Sequence, residues 1–383
     1  MNKQYSHKQN TIYSTYANFA KTELNNSVFD RDKSQTFGQD EWHKCGEKKL
    51  HGISIPEFYG GLGCNALDTS IILESLGYGC EDGGLIFSLS AQLLSCTIPI
   101  WLHGTEEQKN RYLPLLSAGK MIAANAITEK KAGSDVFSMH TKAVKSSSSY
   151  ILNGEKSYIS NAPNSNIVLL YAATDSEKGF YGGISAFIID KATPGLLISN
   201  PIDKMGLRTC MMGNIELNNV EVLESNHLGK VGAGGVLFIE SMNWERALLS
   251  AIHVGTMVRI LEKSIHYLNS RKIGEDTIGK YQTNSHKIAD MYTLIETSRL
   301  LVHKAANEID HKSETTSLSA STAKLFVSEA LNKVCDMALL IFGANGYLTQ
   351  SSIERYKRDA VAAQIYSGTN DVQKNIISKW LGV

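Results

Sequence analysis

The hydrophobic period of this chain changes twice, and that double change constrains its fold more than any single motif. Up to about residue 121, apolar residues recur at helical spacing: Ile12, Tyr16 and Phe19 to Ala20, then Asp68 to Leu76 and Leu85 to Leu102. Residues three and four apart share a helix face, so this spacing predicts helices packed on a core. Gly104-Thr105-Glu106-Glu107-Gln108 reads as a helix start, with Thr105 as N-cap and Gln108 at the third helical position. From about 122 to 232 the pattern shortens. Tyr150 to Glu155 contains Asn153-Gly154, the signal of a tight hairpin. Ile167 to Tyr171 and Ile184 to Ile189 read as buried strands, and Asn214 to Val222 alternates as a half-exposed strand does. Several short strands with turn signals predict a compact antiparallel sheet or barrel. From about 233 the helical period returns. Gly234-Gly235 precedes a long stretch to Asn269, and further helices are expected over 282–310, 318–342 and 370–381, with polar His311 to Ser317 as a link. Four long helices on short links predict a bundle. The expected fold is therefore multi-domain α and β: a helical domain over 1–121, a β-barrel over 122–232 and a four-helix bundle over 233–383.

Charge and cysteine usage narrow the function classes. Lys+Arg and Asp+Glu both number 38 among 383 residues, so the formal net charge is zero. No global field exists to hold nucleic acid or an anionic membrane. The six cysteines, at 45, 64, 80, 96, 210 and 335, form no CxxC pair, and the histidines form no metal cluster. That spacing predicts free thiols in a reducing, cytoplasmic compartment. The polar start MNKQYSHKQN lacks the apolar stretch of a signal peptide, and no run of eighteen apolar residues is present.

Three segments hold residue types suited to chemistry. Glu245 has Met242, Ser241, Leu248, Leu249 and Ile252 as its helical neighbours, so its carboxylate falls on or beside a buried face. Arg246 lies about 100° further round and does not neutralise it directly. A partly buried carboxylate has a raised pKa and makes a competent general base; the plain alternative is a face-edge glutamate paired with a distant cation. Ala126 to Asp135, with Thr128, Gly133 and Ser134, joins the helical and strand regions. Its backbone N–H groups suit phosphates, although surface turns use the same residues. Gln364 to Asn370 precedes the last helix, where Thr369 or Asn370 serves as a cap and the helix start can receive an anion. Phe342 to Tyr347 reads as a helix end stopped by glycine.

Taken in order, these segments resemble the acyl-CoA dehydrogenase family. The resemblance runs through Pro56 to Gly63, Gly104 to Gly119, Thr128-Glu129 with Ala132-Gly133-Ser134-Asp135, Tyr158-Ile159-Ser160-Asn161 and Lys204 to Thr209. It continues through Arg271 to Gln282, Phe342 to Gly346, Arg358-Asp359-Ala360 and Tyr366 to Thr369, and so covers most of the chain. It implies the three-domain fold above and FAD held between barrel and bundle in a homodimer or homotetramer. By position it implies Thr128 at the isoalloxazine edge, Tyr158 against the ring, Ser160 near N5 and Ser134 at the pyrophosphate. Arg271 and Gln282 are implied to reach the partner subunit's FAD, while Thr369 and Asp371 border the cofactor.

The implied chemistry removes hydrogens from the α and β carbons of an acyl thioester. It needs a base for the α proton, donors for the developing enolate oxygen and a hydride acceptor. Many family members carry the base immediately before the final Gly-Thr, but here that position is Ser367. A second subgroup places it on the first bundle helix before an arginine, which Glu245-Arg246 matches. Glu245 is then the expected base, and Ser367 a backbone N–H donor needing no side chain. Other departures are Arg271-Lys272-Ile273-Gly274-Glu275, which loses an aromatic residue, Gly343-Ala344-Asn345-Gly346 and Leu340. The stretch Met242 to Arg246 with Lys204 to Gly213 looks most like a subgroup of polyketide and nonribosomal-peptide assembly. The expected substrate is thus an acyl-CoA or acyl-carrier-protein thioester, with a flavoprotein or oxygen as electron acceptor. A flavin monooxygenase on the same fold is the alternative enzyme, and an inactive assembly-line partner the non-enzymatic one.

Overall fold

Side-chain caps open the helices of the N-terminal region of the computed structural model, which describes residues 5–383. Residues 1–4, the first part of the polar segment MNKQYSHKQN, lie outside the described residues. Ser6 and Gln9 form a capping box for the helix His7–Glu23. Asn65 caps Ala66–Gly79. Thr105 and Gln108 form the expected box at Glu106–Ser117. The apolar stretch Gly83–His103 is one continuous helical run with a π turn at Leu93–Thr97. Its length and composition would suit a membrane span, but 83% of its most apolar window is buried inside the fold.

The middle region holds eight strands: β1 (Ala123–Ala126), β2 (Lys142–Ser146), β3 (Ser149–Ser160), β4 (Ile167–Ala173), β5 (Ile184–Asp190), β6 (Leu196–Ile198), β7 (Met212–Leu223) and β8 (His227–Leu228). They pair in the order β6-β7-β3-β2-β4-β5-β8, with β1 parallel to β4 and most other pairs antiparallel. Inward residues from opposite ends of that order, Leu196 and Phe187, share one core with Leu152, Val168 and Ile215. The sheet therefore curls round a common interior as a barrel does, while β6 and β8 leave the hydrogen-bonded ladder open.

The Asn153-Gly154 hairpin does not form. Both residues lie inside β3, and the turn falls earlier, where Ser146 pairs with Ser149. Gly154 sits at a register shift with φ +146°, and a Cβ there would come 2.7 Å from Thr141. The glycine serves a bulge and a close strand approach, uses that share the hairpin's composition.

The third region contains three long helices, Gly234–Ser270, Gln282–Asp310 and Thr316–Phe342. The fourth, Asn370–Trp380, has only 11 residues and packs on Thr316–Phe342, so the expectation of four long helices holds for three. An additional helix, Ser352–Ala362, buries Ile353, Tyr356 and Ala360 at helical spacing within an otherwise charged segment. The N-terminal region is seated on the bundle by a backbone-to-backbone crossing. A Cβ on Gly77 would lie 2.0 Å from the Ile252 carbonyl oxygen, and one on Gly255 would lie 1.9 Å from that of Glu74. Arg259 fastens the same crossing by donating to the carbonyls of Tyr78 at 2.8 Å and Cys80 at 2.7 Å.

In an open helix Gly→Ala gains about 1 kcal/mol of propensity. At this crossing neither backbone can yield, and overpacking costs about 1–3 kcal/mol. Gly255→Ala is therefore expected to lower the thermal midpoint, with Gly133→Ala, whose Cβ would meet nothing within 4 Å, as the control. A midpoint raised by Gly255→Ala would contradict the close approach.

Candidate active site

Glu245 stands in the long helix Gly234–Ser270, flanked on its face by the buried residues Met242, Leu248 and Leu249. Its own exposure is 8%. The Ser367 hydroxyl donates a hydrogen bond to its Oε1. Burial pushes the carboxyl up from the usual glutamate range; the Ser367 hydroxyl, the charge of Arg246 and the Ser95 hydroxyl oppose it. Ser95 belongs to the π turn Leu93–Thr97, a widened turn of the kind found at functional sites.

Arg246 does not turn its hydrogen bond on Glu245. Its Nε donates to the Ser367 carbonyl at 3.2 Å. Burial lowers its pKa to about 10, against the pull of Glu245, which still leaves it cationic at neutral pH. Behind it, Lys324 is brought down to about 7 by burial and then by the charge of Arg246. Its Nζ donates to Asn370 Oδ1 at 2.8 Å. His253 is lowered to about 3 by burial, then by Lys324, so it is a neutral imidazole bonded to the Tyr366 hydroxyl.

The loop before the last helix is held from behind. Ser367 has φ +55° and Gly368 φ +84°. Ser367 is thus a non-glycine residue in the left-handed region, a conformation that persists only where its surroundings enforce it. Gln373 Nε2 supplies that enforcement by donating to the carbonyls of Ser367 at 3.1 Å and Gly368 at 2.8 Å. Thr369 caps the helix by accepting from the Val372 N–H at 3.3 Å. With these carbonyls engaged, the N–H groups of Ser367, Gly368 and Thr369 donate to no atom of the described residues. A row of unengaged donors beside a buried carboxylate suits an oxygen that gains negative charge.

A second group of expected residues meets on the sheet. Thr128 is half-buried, and its carbonyl accepts from the Ser157 N–H at 2.8 Å. Beside it Lys156 is fully buried and pairs with Glu129 at 2.9 Å. Glu129 also accepts from the N–H groups of His140 at 2.8 Å and Thr141 at 2.9 Å, so the pair ties both ends of the 129–141 loop. Lys156 and the charge-assisted bonds hold Glu129 down to about 2 despite its burial, and burial lowers Lys156 to about 8. The register of β3 on β7 shifts between Lys156 and Ile159. This irregularity lets Lys156 and Ser157 both point inward and leaves Tyr158 56% exposed, at φ +61°, its N–H held by Asn214 Oδ1 at 3.1 Å. Bulges commonly re-aim side chains beside active sites. Ser160 is half-buried, and the next residue, Asn161, donates to the Ser88 carbonyl at 3.0 Å.

The fold thus gathers Glu245, Arg246, Ser367 and Thr369 in one cluster, and Thr128, Tyr158 and Ser160 in another. Ser134 is exposed in the 129–141 loop. Asp371 is exposed and pairs with Lys374 at 3.4 Å. Arg271 and Gln282 are exposed at the far end of the long helix and stand outside both clusters. One expectation changes: the Ser367 side chain, given no part, bonds the Glu245 carboxylate. Sequence reasoning also passed over Lys324, His253, Ser95 and Lys156. Two of them carried a signal. Lys324 shares its helix face with Ala320, Val327 and Leu331, and Lys156 falls in phase with inward Leu152. All six cysteines are free, and no group that could hold a metal occurs among the described residues.

Comparison with known proteins decides the family. Three family models match: acyl-CoA dehydrogenase N-terminal domain over residues 6–120, middle domain over 124–220 and C-terminal domain over 232–382. The chain belongs to the acyl-CoA dehydrogenase family. It is an FAD-dependent acyl dehydrogenase, an oxidoreductase with the three-part fold of that family. An L-prolyl-[peptidyl-carrier protein] dehydrogenase of a Serratia species is 36% identical over 379 residues, covering 99% of this chain and 97% of that protein. The crystal structure of the prolyl acyl carrier protein oxidase AnaB superposes with a TM-score of 0.97 at 41% identity, covering 99% and 100% of the two chains. PigA with FAD and proline superposes at 0.96 with 36% identity, covering 100% and 99%. The residues present suit FAD: Tyr158 offers an exposed ring on an enforced backbone, and the N–H row of 367–369 lies open.

The buried Lys156–Glu129 pair yields a test. Removing one partner leaves a buried charge and costs about 3–5 kcal/mol, whereas replacing both with apolar residues is often neutral. Lys156→Met is expected to lower both the thermal midpoint and the FAD retained on purification. Lys156→Met with Glu129→Leu should recover much of the midpoint but not the FAD, because the loop tie is gone. Full FAD retention in the double variant would separate the pair from the cofactor.

Proposed function

We propose that this enzyme dehydrogenates an aminoacyl thioester, with prolyl as the leading candidate, carried on a carrier protein rather than on CoA. The observation that carries the reading is the buried Glu245 bonded to Ser367 beside open backbone donors. The prolyl-carrier substrates named for the Serratia enzyme and AnaB support the choice of substrate. The domain limits 1–121, 122–232 and 233–383 and the roles below belong to the same reading.

Bound FAD supplies the acceptor for the β-carbon hydride. Glu245 takes the α proton. The Ser367 N–H donates to the thioester oxygen as charge develops there, and Arg246 keeps the Ser367 carbonyl turned away from it. The Ser367 hydroxyl steadies the ionised carboxylate and releases it when the α carbon arrives. Thr128, Tyr158 and Ser160 receive the isoalloxazine, Ser134 and Thr369 with Asp371 the phosphates, and Arg271 and Gln282 the cofactor of a partner subunit in a homodimer or homotetramer. Electrons leave to oxygen or to a flavoprotein, in a cytoplasmic setting. A monooxygenase has no need of an α-proton base and finds no support among the relatives.

Positioned general-base catalysis contributes about 10²–10⁴ in rate. Glu245→Gln is expected to keep FAD and bind substrate, yet lose about that factor in anaerobic flavin bleaching by a prolyl-carrier thioester. Parent-rate bleaching in this variant would place the base elsewhere.

The pH dependence has a defined sign. Activity requires ionised Glu245, whose pKa burial raises, so the rate should fall on acidification at a pH above that of an ordinary glutamate. The Ser367 hydroxyl opposes the rise, so Ser367→Ala should move this acid limb to higher pH while the plateau rate, which uses the N–H, changes little. An unmoved limb would show that the hydroxyl does not act on the base.

A further inference from the structure

Four large apolar side chains stand half or more exposed close to the start of the long helix: Phe137 at 57%, Tyr181 at 60%, Val231 at 56% and Val236 at 50%. Isolated exposed apolar residues are ordinary, but a converging set marks an interaction site. These four come from three separate segments that the fold brings together. The rings of Phe137 and Tyr181 lie 6.3 Å apart, and Phe137 packs on Phe180 at 4.5 Å. The 231–236 segment presses on the same helical turn, since a Cβ on Gly232 would come 2.4 Å from the Gly182 carbonyl oxygen and one on Gly235 2.3 Å from that of Phe180.

The patch is connected to the catalytic cluster. Phe180 meets Phe238 at 6.3 Å, and Phe238 meets Tyr171 at 5.7 Å. Phe238 shares the helix face of Glu245 seven residues earlier, about 10 Å along the axis. Phe137 itself follows Ser134 in the loop tied by Glu129 and Lys156. Through these buried rings the patch packs on the helix that carries Glu245. Lys230 is exposed next to Val231, and Lys178 lies under Gly182, paired with Asp175 at 3.0 Å. Asp175 neutralises Lys178, so Lys230 supplies the charge that complements an acidic partner.

We propose that Phe137, Tyr181, Val231 and Val236, edged by Lys230, form the docking surface for the folded body of the carrier protein, whose arm alone passes inward to Glu245. The proposal rests on the carrier reading above.

The test uses the FAD-loaded enzyme and two probes: prolyl-loaded peptidyl carrier protein and prolyl-pantetheine. Central aromatic residues of an interface dominate its affinity, so Tyr181→Ser and Phe137→Ser are expected to raise KM for the carrier substrate by about tenfold or more. Turnover of prolyl-pantetheine should stay at the parent level. Lys230→Glu should raise the carrier KM and Lys230→Arg should not, with the difference shrinking at high salt. Equal losses on both probes would make the patch part of the catalytic site, and unchanged kinetics on both would remove it from binding; either overturns the proposal. A change in subunit number by light scattering, with carrier kinetics intact, would reassign the patch to a contact between copies of this chain. If the parent enzyme oxidised CoA thioesters and no carrier thioester, the carrier reading itself would fail.

Discussion

The rest of the architecture depends on the crossing at Gly77 and Gly255, where two helix backbones meet without side chains between them. That contact fixes the depth at which the N-terminal helices sit against the long helix Gly234–Ser270. Ile252, which the crossing touches, is two turns beyond Glu245 on the same helix. The π turn at Leu93–Thr97 packs on the same helix and brings Ser95 towards the carboxylate, whose pKa burial raises. Packing between domains and the acidity of one side chain are thus one problem, and glycine solves it by allowing the approach.

The sheet poses a complementary problem, which is to present a polar loop without letting it wander. Its solution is a buried charge pair. Lys156 projects inward from a strand, and Glu129 closes the loop by binding both Lys156 and the backbone of residues 140 and 141. The irregularity that admits Lys156 also turns Tyr158 outward. Loop anchorage and the exposure of an aromatic ring thus meet at a single shift of register.

Much of this was legible in the sequence because it rests on local rules. The capping box at Thr105, the strand alternation over 214–222 and the long helix starting at Gly234 depend on neighbouring residues, and the structure reproduces each. Asn153-Gly154 misled because a bulge and a hairpin use the same dipeptide; only the approach of Thr141, a tertiary fact, distinguishes them. Glu245 stood out because an acid on an apolar face is anomalous, and the family resemblance then singled it out as the expected base. Lys324 and Lys156 carry the same anomaly, yet their partners Asn370 and Glu129 lie 46 and 27 residues away, and no spacing rule joins them. The Ser367 hydroxyl was underrated for a related reason: its bond spans 122 residues.

That last bond has a geometric consequence. Positions 245 and 367 are remote in sequence, but a hydrogen bond joins their side chains, so both address the same point in space. A carboxylate delivered from either the helix or the loop would arrive at nearly the same place. Moving a carboxylate from one position to the other therefore calls for two substitutions and no change in the path of the backbone. A glutamate at both positions would hold two carboxyls in contact, sharing one proton. With serine at 367 the loop brings no charge to that point and keeps a donor to Glu245.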